Sequence, residues 1–174
     1  MKIVSIFASN LYSFHYDNDG MNIYDKLMDL WLDVSYLRSY GKENQVKDLS
    51  GFIREILADT EYIQSFMADT VKGKSNIDEF FRPLDNNERV HKVLSKQKGK
   101  KKGSELRIYA IRIEKGLYVV TGGAIKFSSN YRMSDHQDTA TELNNLNKAQ
   151  EFLTAYGIVD DLGFFEFINE SENG

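Results

Sequence analysis

Two periodicities divide this chain into stretches that suit strands and stretches that suit helices. The opening KIVSIFASNLYSFHYD is rich in β-branched and aromatic residues and breaks at Ser9-Asn10, which predicts a hairpin or one long bent strand. Ile23, Leu27, Leu30, Trp31, Val34 and Leu37 then recur at helical spacing. Asn22 suits an N-cap and Gly41 suits an end, so one helix is expected between them. Beyond Ser50 a second stripe of Phe52, Ile53, Ile56, Leu57, Ile63, Phe66 and Met67 predicts another helix, closed by Gly73. Both stripes are read as core rather than as ligand sites.

The segment NIDEFFRPLDNNERV holds the only proline and a polar cluster, and turns the chain. VHKVLSKQK fits a short strand or a helical turn equally well. A last helix is predicted from the capping box Thr139-x-x-Glu142 to just before Gly157. Its apolar positions are Ala140, Leu143, Leu146, Ala149, Phe152, Leu153 and Tyr156. The tail IVDDLGFFEFINESENG offers one apolar patch and then an acidic end expected to fray. Strands, then helices, then strands and a helix make an α+β fold. An antiparallel or mixed twisted sheet with helices packed on one face is expected.

The stretch LRIYAIRIEKGLYVVTGGAIKF, residues 106–127, reads as a hairpin turning at Lys115-Gly116. That turn sets Tyr109 opposite Gly122, Arg107 opposite Ala124 and Glu105 opposite Lys126, all on one side of the sheet. The other side carries Leu106, Ile108, Ala110, Val119, Thr121, Gly123, Ile125 and Phe127, a core face broken only by Arg112. One face is thus apolar, and the other sets cations and a tyrosine around small residues. Gly122 and Ala124 leave room there for a ligand among Arg107, Tyr109 and Lys126. The plainer alternative is that Tyr109 covers a bare glycine while Glu105 pairs with Lys126.

Composition narrows the classes. At 174 residues, 41% hydrophobic and 13% aromatic, the chain has enough apolar surface for a core. The lack of cysteine excludes disulfides and thiolate metal sites. No apolar run reaches membrane-spanning length, and the N-terminal residues lack the apolar stretch of a signal peptide, so a cytoplasmic protein with no membrane partner is expected. The net charge of −4 conceals a strong segregation: residues 1–81 balance to −5, residues 82–132 to +9, and residues 133–174 to −8. KVLSKQKGKKKGSELR alone packs six lysines and Arg107 into sixteen residues. Such a run is either a solvated loop or an electrostatic footprint for phosphate backbones. Lys98, Lys100, Lys101, Lys102, Arg112 and Arg132 are the candidate phosphate-backbone contacts in this basic middle, and the RNA contacts under the resemblance given below. No cofactor is called for: histidine–carboxylate clusters at ligand spacing are missing, and Gly122-Gly123 is no phosphate loop.

The order of parts, with a helix pair, a basic stretch, LRIYAIRI…GLYVVTGGAIK and a terminal helix, resembles the RelE/ParE superfamily of bacterial toxins, closest to its phage-derived, HigB-like branch. Leu106-Arg107, Lys126 and the Asp138-Thr139 cap fill the places of the family's strand motif, its lysine-bearing segment and its helix cap. The likeness covers roughly residues 45–157 and is strongest over 105–127. It implies one RelE-like domain over 1–174, with 1–44 as an N-terminal hairpin-and-helix extension and 158–174 as an acidic C-terminal tail. It also implies a metal-independent endoribonuclease that cuts messenger RNA at the ribosome and is neutralised by a cognate antitoxin protein; ParE relatives instead bind DNA gyrase. By this resemblance Arg107 and Lys126 stabilise phosphate charge, and Tyr109 orients or stacks on the nucleotide. The nearest acid–base candidate is His136 in RMSDHQDT, which reads equally as a surface histidine ahead of a cap. The chain departs from the family in its length, its acidic balance, its single Lys126 followed by Phe127, and its cap sequence. Three readings stay open: a RelE-like ribonuclease, a non-catalytic protein of that fold such as a gyrase inhibitor, and an unrelated α+β interaction domain.

Overall fold

A computed structural model describes residues 1–7, 9–17, 20–85, 93–127 and 132–174, excepting the side chains of 132–139. The chain opens with strands β1 (Lys2–Phe7) and β2 (Leu11–His15). Helices α1 (Ile23–Trp31), α2 (Val34–Glu43) and α3 (Leu49–Val71) and the single turn α4 (Ile77–Phe80) follow. Next come β3 (Phe81–Pro83), β4 (Ser95–Gly99), β5 (Leu106–Glu114) and β6 (Leu117–Ile125), then α5 (Arg132–Ala155) and α6 (Asp161–Asn173). The strands form one sheet in the order β1-β2-β6-β5-β4-β3. All neighbours are antiparallel except β2 and β6, which run parallel. The expected α+β class with a mixed sheet is what the chain adopts.

Helices cover both faces of this sheet, which corrects the expectation of one. The reason lies in β5, whose alternating positions are apolar on each side, so each side needs a cover. Leu106, Ile108 and Ala110 join Leu27, Met28 and Trp31 of α1 and Phe52, Ile56, Ile63 and Met67 of α3 in one core. Tyr109, Ile111 and Ile113 join Leu146, Ala149 and Leu153 of α5 and Phe164 and Ile168 of α6 in a second. The tail expected to fray is therefore α6, capped by Asp160, whose carboxylate accepts from the Gly163 N–H at 2.8 Å. Phe164 is fully buried and meets Tyr12 edge-on at 4.9 Å.

Other boundaries also move for identifiable reasons. The single helix expected between Asn22 and Gly41 is two, because Asp33 caps α2 by accepting from the Tyr36 N–H at 3.1 Å. Gly41 lies inside α2, where Leu49 and Phe52 press too closely for a β-carbon. Asn22 does cap α1, Asp48 caps α3, and Gly73 follows α3 with φ +71°. Helix α5 begins at Arg132, so Thr139 and Glu142 fall inside it rather than at its cap. The ambiguous stretch after Val93 is strand β4.

The β5–β6 hairpin turns at Lys115-Gly116, with Gly116 at φ +79°, a conformation glycine adopts without strain. Arg107 pairs with Ala124, Ile108 with Gly123 and Tyr109 with Gly122, as the turn predicts. Between turn and site, however, pairing shifts by one residue and then shifts back, through irregularities at Ile113 and Thr121. Val119 consequently faces α5 and α6 instead of sharing a face with Ile108. The two glycines serve different layers. A β-carbon on Gly123 would lie 2.7 Å from the Arg107 carbonyl oxygen, 2.8 Å from Leu27 and 2.9 Å from Trp31. One on Gly122 would overlap the Glu142 carboxylate, which a side-chain rotation can move aside. Gly123→Ala should therefore destabilise by about 1–3 kcal/mol, and Gly122→Ala by clearly less. Urea unfolding of the two variants measures the difference, and the reverse order would refute this packing.

Candidate functional site

Three strands bring four of the basic residues to one place. Lys98 pairs with Tyr109, and Tyr109 with Gly122, so these three lie in a row across β4, β5 and β6. Arg107 and Ala124 form the next row, with Lys100 just beyond the end of β4. Lys126 follows the end of β6, where its N–H donates to the Glu105 carbonyl at 2.7 Å. Lys98 is held below the usual lysine range, first by burial and then by the charges of Lys126, Arg107 and Lys100. The other three cations therefore all act on Lys98. Arg107 is lowered by burial, against the opposing influence of Tyr109 and Glu105. Its guanidinium donates to the carbonyls of Ser104 at 2.5 Å and Leu106 at 2.9 Å, which fixes its direction. Among the described residues, none of the four lies within salt-bridge distance of a carboxylate, although the Glu105 charge acts on Arg107.

The remaining basic candidates go elsewhere. Lys101 is bound to α3, 2.7 Å from the Asp59 carboxylate and 5.2 Å from the centre of the Tyr62 ring. That hydrogen bond and charge raise its pKa. Lys102 is exposed in the β4–β5 loop. Arg112 lies on the opposite face of β5, beside Tyr118. There the Asp78 carboxylate accepts from the Gly116 N–H at 3.0 Å and the Tyr118 hydroxyl at 2.5 Å. Burial, then Asp78, pushes the Tyr118 phenol up, while Arg112 and Arg82 pull it down. Arg112 thus lies beside a half-buried polar latch behind the hairpin turn. Arg132 and His136 fall in the first turns of α5, and their side chains lie outside the described residues.

Tyr109 is only 4% exposed and packs in the second core, so its ring forms the floor of the cluster. The space expected above Gly122 is filled by the Glu142 carboxylate. Glu142 was legible only as half of a capping box, and Tyr16 gave no signal. Tyr16 donates to the Thr121 carbonyl at 2.6 Å, and burial, then the Glu142 charge, pushes its phenol up. Among the described residues, no three histidine, aspartate or glutamate side chains converge as a metal site, and no helix is long and apolar enough to cross a membrane. Comparison with known proteins supplies no relative: no family model, curated protein or solved structure matches the chain.

Gathering like charges on a half-buried strand carries a cost that depends on pH. An unfolded lysine titrates near 10.5, whereas Lys98 in the fold titrates lower. Between those two pH values the unfolded chain holds more protons, so stability climbs with pH; below both, the whole penalty is present. Lys98→Gln should accordingly raise the urea midpoint near neutral pH, with the gain shrinking as alkaline titration proceeds. An unchanged or lower midpoint near neutral pH would contradict the repulsion.

Proposed function

We propose that the protein acts on RNA as a RelE/HigB-like toxin, a metal-independent endoribonuclease that cuts messenger RNA at the ribosome and is held in check by a cognate antitoxin. The observation that carries this reading is the convergence of Lys98, Lys100, Arg107 and Lys126 on one sheet face without ion pairing among the described residues. Such a cluster favours an anion carrying several charges, and the phosphate backbone of a nucleic acid is that kind of ligand. Cleavage through a ribose 2′-hydroxyl builds charge on the phosphoryl oxygens as the P–O5′ bond breaks. Arg107, aimed by two backbone carbonyls, and the exposed Lys126 are suited to stabilise that charge. A lysine acidified by burial and neighbouring cations gives up its proton more readily, which suits Lys98 to protonate the departing 5′ oxygen. His136 is the candidate to take the proton from the 2′-hydroxyl.

The reading is tested by tightly induced expression in a bacterial host, with growth followed and messenger RNA ends mapped. Wild type should arrest growth and create new RNA ends. Arg107→Ala/Lys126→Ala should lower cleavage by about a hundredfold or more while remaining folded. Arrest without new ends would point to the gyrase-type alternative, and folded protein with no effect would remove the toxin reading.

A further inference from the structure

Lys98 offers chemistry that the ribonuclease reading does not exhaust. It stands half-buried on β4, opposite Tyr109 of β5, whose own ring is almost wholly buried. Among the described residues no carboxylate lies within salt-bridge distance of Lys98, whereas Lys101 is held by Asp59. The charges of Lys126, Arg107 and Lys100 act on it instead. An ammonium that is half-buried, unpaired and pressed by like charge is disfavoured against its neutral amine. A neutral lysine amine attacks carbonyl carbon, and neighbouring cations are one of the ways such lysines are made reactive. Arg107 lies in the next row on the same face, about 7 Å along the sheet. Lys126 follows the end of β6, so a phosphate next to the attacked sugar meets these two cations.

An intact nucleotide offers this amine no carbonyl carbon on its sugar. A nucleotide that has lost its base does, because its sugar opens to an aldehyde at C1′, with a phosphate on either side. We infer that the cationic face is a covalent site for abasic nucleotides, at which Lys98 breaks the strand by β-elimination. The inference rests on the reading above for strand binding, and not for its 2′-hydroxyl chemistry. The Lys98 Nζ adds to C1′ and gives two protons to the carbonyl oxygen, which leaves as water. The resulting imine takes one proton from solvent and draws electrons from the C2′–H bond, whose proton passes to water. That electron pair becomes a C2′–C3′ double bond as the C3′–O3′ bond breaks, and the phosphate departs with its oxygen. Water then hydrolyses the imine, which frees Lys98 and leaves an unsaturated aldehyde on the upstream fragment. The water lost is regained, so no oxidant or reductant enters. A lysine whose proton is loosely held supplies both forms, the protonated one to a departing 5′ oxygen and the neutral one to an aldehyde. When a strand covers the face its phosphates offset the cations, but burial, the larger influence on Lys98, deepens.

The test uses the full chain and a single-stranded DNA that carries one abasic site. This strand lacks 2′-hydroxyls, so the ribonuclease chemistry cannot cut it. Borohydride added to the reaction reduces the imine to a stable amine and leaves a cross-link. Wild type should cross-link and, without borohydride, cut at the abasic site faster than the strand breaks alone. Peptide mapping of the wild-type adduct should place it on Lys98. Lys98→Arg keeps the charge but forms no imine. It should hold the strand within about threefold of wild type and lower cross-linking about a hundredfold or more. Lys98→Gln, expected above to fold and to gain stability, should lose the cross-link as well. Lys115→Gln, which removes an exposed lysine at the far end of the hairpin, should change neither binding nor cross-linking. Ribose 5-phosphate, an aldehyde with one phosphate, should compete only at about a hundredfold or more higher concentration. An adduct spread over several lysines, or cross-linking that survives both Lys98 variants, would overturn the assignment. Competition by ribose 5-phosphate at the concentration of the strand would assign the site to a sugar phosphate instead. Binding of an RNA of the same length, with no cross-link to the abasic strand, would overturn this inference and leave the ribonuclease reading standing. No binding of either strand would remove both.

Discussion

The pairing of β5 with β6 decides which side chains meet which helical layer, and the rest of the molecule follows from it. A one-residue slip in a strand exchanges its two faces. Here the pairing slips once near the turn, at Ile113, and recovers at Thr121. Because the second irregularity cancels the first, Gly122 and Ala124 return to the face of Arg107 and Tyr109, while Gly123 returns to the face of Ile108. Gly123 then admits Leu27 and Trp31, and Gly122 admits Glu142. Had the strand slipped only once, Gly122 and Ala124 would have faced α1, and Gly123 would have faced α5.

The two faces so defined are chemically unlike. Toward α1 and α3 the sheet is apolar nearly throughout, with the Asp78–Tyr118–Gly116 latch closing one end. Toward α5 and α6 it is apolar at one end and cationic at the other. Helix α5 spans both regimes, and its composition changes accordingly. Leu146, Ala149 and Leu153 are buried in its second half, whereas Leu143, nearer its start, remains 44% exposed. The acidic balance of the last part of the chain is accommodated largely along the outer faces of α5 and α6, since Glu151, Glu166, Glu170 and Glu172 are not buried.

Much of the fold was legible because it rests on local signals. The glycine turn at Lys115-Gly116 specified the Arg107–Ala124 and Tyr109–Gly122 pairs, and the helical stripes located α1, α3 and the second half of α5. What could not be read depended on contacts between distant segments. Trp31, Val34 and Leu37 make a continuous helical stripe, so the break at Asp33 shows only once its side chain is seen capping Tyr36. Glu142 satisfies a capping-box spacing, yet its carboxylate is drawn to a glycine on β6. The strand irregularities leave no mark in an alternating run of β-branched residues, and so Val119 was assigned to the wrong face. Neighbouring cations also parted company. Lys100 and Lys101 are adjacent in sequence just beyond β4, yet one acts on Lys98 and the other binds Asp59.

The parallel contact between β2 and β6 joins the first strands to the last one; Tyr16 and Thr121, bonded across it, stand 105 residues apart. Folds dominated by such distant pairings close slowly, because a long loop must be ordered before the contact rewards it. During synthesis the opening hairpin emerges early and has no sheet to join until the whole basic segment and both strands of the second hairpin have followed. The cations consequently emerge before the helix that frames them. A nascent chain thus carries the charge of the cluster before it has the helix beside it, and the cluster takes its final surroundings only in the last step of folding.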